Sequence, residues 1–271
     1  MKSASMMWID LLAGIMKDGV IVSPRGKLTK EIPQNTISMD MRYPVLLVKN
    51  RKLNYQFMAA EAFWILSGDD KVEGIVPWNK HIAEFSDDGK TFFGAYGPMI
   101  VNQLNYVVNK LLQDTDTRQA GLTIWRMNPP QTKDVPCTIS MFFNIRSGLL
   151  NCHVFMRSSD AWLGIPYDIF NFSMVAHMVC AMYNIIDNID ADEAREVLTP
   201  GTLYITAASS HIYEQNMVAV GDILAHAELG GMIDNQTPEL LYLSRYSLLQ
   251  WLKELRDSKP GNERRWWERK A

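Results

Sequence analysis

The chain has 271 residues, 47% of them hydrophobic and 21% charged, with 27 Lys plus Arg against 30 Asp plus Glu and a formal net charge of −3. That size and balance suit one large domain or two small ones with a sizeable core, and they exclude a disordered acidic chain, a collagen-like repeat and a disulfide scaffold. A slightly acidic chain carries no global field for nucleic-acid phosphates, so any phosphate bound here needs a local cluster of cations.

In chain order, residues 6–17 read as an amphipathic helix with Trp8, Leu11, Leu12 and Ile15 on one side. Asp10 interrupts its apolar stretch and no small-residue cleavage site follows, so a signal peptide is not expected. Pro24, Arg25, Gly26 and Lys27 form a turn or loop. Residues 43–48 read as a short apolar strand ending at Lys49. Residues 55–66 are helical, stopped by Ser67-Gly68-Asp69-Asp70, with one carboxylate, Glu61, inside an apolar run. A loop then passes Trp78 and His81 to Gly94-Ala95-Tyr96-Gly97-Pro98, before a helix over 99–113. Residues 121–125, 139–145 and 149–156 have strand composition, and the last two flank a hairpin turn at Arg146-Ser147-Gly148. Residues 168–183 are apolar nearly all round, the mark of a central buried helix. A strand over 201–207 and helices around 212–227 and 239–256 close the chain. No run reaches the roughly 18 apolar residues of a membrane span. Strands and helices mix without βαβ alternation, which predicts an α+β fold in a single domain, 1–271.

The three cysteines, Cys137, Cys152 and Cys180, are too scattered for a disulfide framework or a zinc site, and they predict a reduced, cytoplasmic protein without a metal. Cys137 follows Pro136 at a strand entry, where it is either an activated thiolate or a buried inert thiol. Arg157, Ser158 and Asp160 end a strand, and they suit either a phosphate site or an exposed ion-paired turn. His211 and Tyr213 share one face of an extended segment and can reach a sugar hydroxyl or simply edge the core. Glu61 is either a carboxyl whose pKa burial raises toward proton-transfer duty or a residue on a solvent face. The end of the chain joins cations to Trp266 and Trp267, which favours a docked tail.

Together, Pro136-Cys137, Arg157-Ser158-Ser159-Asp160, Leu163-Gly164-Ile165-Pro166-Tyr167 and His211-Ile212-Tyr213 resemble the thymidylate synthase family, including its pyrimidine hydroxymethylase branch. The likeness runs over 25–213 and is strongest over 136–173. It implies a homodimer formed across the sheet, acting on a pyrimidine deoxynucleotide with 5,10-methylenetetrahydrofolate as co-substrate, without direct nucleic-acid or membrane partners. By this resemblance Cys137 adds to C6 of the base, and Arg157 favours its thiolate. Arg25, Arg157 and Ser158 hold the 5′-phosphate, and Arg118 reaches the partner's site. His211 and Tyr213 take the deoxyribose hydroxyl. Glu61, Trp78 and Tyr96 serve proton relay and the folate side, Asp160 lies near the pterin, and Lys49 near the folate tail.

Departures from the family pattern refine the expectation. Where dUMP-using synthases carry asparagine, this chain has Asp168. Cytosine offers an N3 acceptor and an N4 amino donor, which a carboxyl able to share a proton can match. Asp168 is thus expected to select dCMP, the alternative being a helix cap. Thr138 replaces the histidine usual after the nucleophile, Gln119 replaces a second arginine, and the chain ends WWERKA in place of a short apolar seal. A poorly sealed site admits water to the one-carbon intermediate. The resulting expectation is dCMP hydroxymethylation, as in viruses of bacteria that modify their DNA cytosines. The rivals are dCMP methylation, thymidylate synthesis and an inactive nucleotide-binding protein on the same fold.

Overall fold

The structure is a computed structural model, and it describes residues 2–48, 50–190, 197–228 and 244–259. Helix α1 (Ala4–Asp18) starts at Ser3 and buries Met7, Trp8, Leu11, Leu12 and Ile15, the face its periodicity predicts. Its Trp8 Nε1 donates to the Ala161 carbonyl at 2.6 Å, which ties the helix to the segment beneath the cleft described below. Strands β1 (Val20–Val22) and β2 (Thr29–Asp40) flank a turn in which Arg25 (φ 53°) and Gly26 (φ 77°) are both left-handed.

The strand expected over 43–48 does not form. The chain leaves the sheet at Asp40; Val45 and Leu46 are buried as coil and Val48 in an isolated bridge. The strand is β2, whose polar, half-exposed TKEIPQNTISMD lacks the apolar density that marks a buried strand. Helix α2 (Tyr55–Leu66) has the predicted bounds, because Asn54 caps it: Asn54 Oδ1 accepts from the Phe57 N–H at 2.9 Å. Helix α3 (Tyr96–Gln113) begins three residues earlier than expected, so Tyr96 stands on its first turn instead of in the loop.

Strands β3 (Gly121–Thr123), β4 (Thr138–Arg146) and β5 (Leu149–Met156) follow. Ser147 (φ 52°) and Gly148 (φ 73°) are both left-handed, as a two-residue hairpin turn requires. Strand β6 (Ser159–Asp160) and β7 (Thr199–Tyr213) complete a seven-stranded sheet ordered β1-β2-β7-β5-β4-β3, with β6 beside β7. β7 runs parallel to β5 and β6 and antiparallel to β2, so the sheet is mixed. The closing helices are α5 (Glu214–Glu228) and α6 (Arg245–Arg256). β7 is longer than expected because its C-terminal half pairs with the polar start of β2. Residues 239–243 of the expected last helix and the Trp266-Trp267 tail lie outside the described residues.

Helix α4 (Ile165–Asp190) packs against α2, α3, β5 and β7. Contrary to the expectation from composition, Ile165–Ile186 is long and apolar enough to cross a membrane, with mean hydropathy 1.5. It is 89% buried within the fold, which makes it the core helix around which the other layers assemble. Among its polar residues, Ser173 is satisfied locally: its Oγ donates to the Ile169 carbonyl at 2.7 Å.

Candidate active site

One open cleft of about 420 Å³ lies between α2, the first turn of α4, the start of α3, and the segments leading into β4 and out of β5. It gathers Arg25, Glu61, Tyr96, Cys137, Arg157, Ser158, Asp160 and Asp168, separated by up to 143 positions in the chain. Four of the other predicted residues lie elsewhere, and Lys49 is outside the described residues.

Cys137 sits half-buried just before β4. Arg157 splints its approach: Nε donates to the Pro136 carbonyl at 3.0 Å and Nη2 to the Val135 carbonyl at 2.8 Å. The backbone N–H of Arg157 donates to the Cys137 carbonyl at 2.9 Å. A guanidinium has five N–H donors, so this leaves others for an anion in the cleft. The expectation that Arg157 lowers the thiol pKa holds only as an opposing force. Burial dominates and raises it, Arg157 and Arg25 pull it down, and Asp168 and Asp134 push it up. With burial dominant, the cysteine rests as a thiol.

Glu61 lies within α2, facing the cleft. Burial raises its pKa to about 7, opposed by the Asn171 Nδ2 hydrogen bond to Oε2 at 2.7 Å. The solvent-face reading of Glu61 is therefore excluded. Asp168 is held well above the usual carboxylate range by burial and by the nearby Glu61 and Asp160 charges. It lies inside the first turn of α4, whose first residue is Ile165, and among the described residues its carboxyl accepts no backbone N–H, so it is not the cap. Asp160 accepts from the Trp162 and Leu163 N–H groups at 2.8 and 2.9 Å; burial raises its pKa while these bonds, His211 and Arg51 oppose.

The Tyr96 hydroxyl accepts from the Thr138 N–H at 3.2 Å and from its Oγ1 at 3.0 Å. Burial and the Asp168 and Cys137 charges raise its pKa, so it stays a neutral phenol with a proton to donate. Gly97 makes the placement of Tyr96 possible, since a Cβ there would stand 2.8 Å from the Asp69 carbonyl oxygen. The apolar wall opposite comes from Trp64, Ile82, Phe85 and Phe92, with Trp64 and Phe92 edge to face at 5.7 Å.

Trp78 is not in the cleft lining. Its Nε1 donates to the Arg256 carbonyl at 3.1 Å and the Arg256 guanidinium lies 4.7 Å from its ring, so it anchors α6 beside α2. Arg118 is exposed on the turn between α3 and β3, away from the lining. His211 and Tyr213 stand at the end of β7 with rings 5.1 Å apart, edge to face. His211 pairs in register with the cleft residue Asp160, beside the lining without being part of it, while Lys27 approaches the Tyr213 ring at 5.9 Å.

Sequence reasoning missed Asn171 and Asp134. Asn171 follows Asp168 by three positions on α4, a spacing that puts both on one helix face, and that was the available signal. Asp134 Oδ2 accepts from the Gly94 N–H at 2.7 Å, which clamps the loop before Tyr96 to the loop before Cys137. Only the tertiary contact reveals it. Among the described residues, no group of three or more His, Cys, Asp or Glu side chains is placed to hold a metal ion.

The cleft joins a thiol, an arginine-splinted loop, a near-neutral glutamic acid and a base-sized apolar wall, and comparison with known proteins agrees with that chemistry. The family model for thymidylate synthase matches residues 6–230. A protein of Bacillus phage SP01 named deoxyuridylate hydroxymethyltransferase is 33% identical over 182 residues, 58% of this chain and 46% of that protein, so the chain matches under half of that relative's length. Thymidylate synthase of Enterobacteria phage T4 is 25% identical over 275 residues, covering 91% of each. With that family model matched over most of its length, the chain belongs to the thymidylate synthase family.

Proposed function

We propose that the protein, as one catalytic domain over residues 1–271, transfers a one-carbon unit to C5 of dCMP and completes it with water, giving the 5-hydroxymethyl nucleotide. The observation that carries this reading is Asp168, a carboxyl of raised proton affinity in the same cleft as Cys137. One of its oxygens accepts from the cytosine N4 amino group, and a proton shared with N3 completes the pair. Against uracil an ionised Asp168 would set an anionic oxygen beside O4, leaving a buried repulsion where cytosine has a bond.

Arg25, Arg157 and Ser158 hold the 5′-phosphate, and the two guanidinium groups favour the Cys137 thiolate. The left-handed turn at Arg25 and its place in the cleft lining support this role. The thiolate adds to C6 and makes C5 nucleophilic. 5,10-Methylenetetrahydrofolate supplies the carbon, and the wall of Trp64, Ile82, Phe85 and Phe92 beside Asp160 suits its flat pterin. Tyr96 and Glu61 handle protons at C5 and at the incoming carbon. A homodimer would bring Arg118 of one protomer to the phosphate of the other; His211 and Tyr213 would reach the sugar hydroxyl, and Trp78, through α6, and Lys49 would serve the folate side.

The hydroxymethyl outcome draws support from the SP01 relative's name, which also favours a second reading, dUMP as substrate. A neutral Asp168 carboxyl, with one donor and one acceptor, can pair with uracil. Incubation with dCMP and with dUMP separately, in the presence of methylenetetrahydrofolate, tests both. A product from dCMP heavier by one CH2O supports the proposal. Dihydrofolate absorbance marks methylation instead, and product from dUMP alone refutes the role given to Asp168.

A further inference from the structure

Asn171 is 3% exposed and lines the cleft, yet only half of its carboxamide is used. Nδ2 donates to Glu61 Oε2 at 2.7 Å, while Oδ1 is buried without a hydrogen-bond partner. A buried amide oxygen left unpaired costs about 1–3 kcal/mol, so its retention calls for a donor during function. Three donors can enter the cleft: the base amino group, a protonated carboxyl and water. Asp168 stands three residues before Asn171 on the same helix face, and it is placed to take the base edge. Asn171 and Glu61 line the same cleft, where Glu61 provides a proton acceptor.

We propose that Asn171 is a positioning residue for hydration, holding Glu61 through Nδ2 and the attacking water through Oδ1. This rests on the hydroxymethylation reading above. In the step, the water oxygen bonds to the exocyclic methylene carbon on C5, and Glu61 takes the water proton. The methylene double-bond electrons move onto C5, then form the C5–C6 double bond as the Cys137 thiolate leaves C6. The carboxylate charge thus ends on sulfur, and no oxidant or reductant is needed. A water held by two partners is pre-oriented, which favours it over competing donors. The titratable and charged groups that share the cleft with Glu61 are Asp168 on α4, Asp160 on β6, Tyr96 at the start of α3, Lys133, Asp134 and Cys137 before β4, Arg157 after β5 and Arg25 before β2, with Tyr167 of α4 also near it.

The test uses dCMP labelled with tritium at C5, read for tritium release, which precedes hydration, and for hydroxymethyl product, which follows it. Wild type should release label and form product in step. Asn171→Leu, nearly the same size, should keep release within a few-fold while product falls on the order of tenfold or more, the loss expected for one buried hydrogen bond to a charged group. Asn171→Asp keeps the shape but adds a second carboxyl beside Glu61, so the acid limb of its pH profile should move to higher pH. Release and product falling together in both variants, with the acid limb unmoved, would overturn the inference. So would a rise in KM for dCMP with kcat intact, which would place Oδ1 on the base. If wild type itself forms only a methyl product, the hydroxymethylation reading fails, and the role of Asn171 in hydration fails with it.

Discussion

A thiol, a phenol and four carboxyls line one cleft, and burial raises the proton affinity of each. Glu61 illustrates the consequence. Its pKa moves from 4.5 to about 7, so between these values the unfolded chain has released a proton that the folded chain still holds. Stability therefore falls as pH rises through that window, by about 3 kcal/mol at most. Glu61→Gln should melt at a higher temperature than wild type at pH 8, with the gap closing below pH 5. The same variant should lose the rise in activity that wild type shows through about pH 7, since the amide accepts no proton. Asp168→Asn trades a proton-sharing carboxyl for a fixed amide, and competition assays should show its preference shifting toward dUMP by tenfold or more. No shift would remove Asp168 from base selection. For Arg157→Lys, the loss of two carbonyl bonds and a bidentate fork should raise KM for the nucleotide by more than tenfold.

At the scale of elements, the site depends on how helices are started. Asn54 caps α2 through Phe57, and its Nδ2 donates to the Trp78 carbonyl at 3.0 Å, so one side chain sets both the Glu61 helix and the adjacent loop. Asn54→Ala should lower unfolding free energy by about 1–2 kcal/mol, measured in denaturant. Activity should fall further than that loss explains, because Glu61 then moves relative to Asn171. The start of α3 works similarly: the close passage of Gly97 over Asp69 lets Tyr96 meet Thr138. The bounds of α2 were legible in sequence because its apolar run ends at Ser67-Gly68. The start of α3 was not, since Tyr96-Gly97-Pro98 carries breaker residues that the local packing overrides.

For the whole molecule, the helical layer covers one face of the sheet. On the other, Phe142 and Phe155 are 42% and 41% exposed with rings 6.3 Å apart, and His153 stacks on Tyr204 at 4.8 Å. Two large aromatic residues left half-open on a sheet suit a second copy, and the homodimer proposed above would cover them. Phe155→Glu should shift the protein from dimer to monomer in sedimentation and, if Arg118 serves the partner site, reduce activity in the same concentration range. Wild type sedimenting as a monomer at micromolar concentration would refute the dimer.

The sequence by itself determined the α+β class, the buried status of α4 and the hairpin at Ser147-Gly148, and it singled out Cys137, Arg157, Glu61 and Asp168 as candidates. These are written in local periodicity, turn chemistry and short motifs, which act between near neighbours. Only the tertiary structure decided that β2 and not residues 43–48 enters the sheet, and that Trp78 anchors α6. It also placed His211 beside Asp160, clamped Asp134 to Gly94 and left half of Asn171 unpaired. Those outcomes depend on pairing and burial between residues tens to hundreds of positions apart, where the competition for sheet partners and for hydrogen bonds has no counterpart in any short window of sequence.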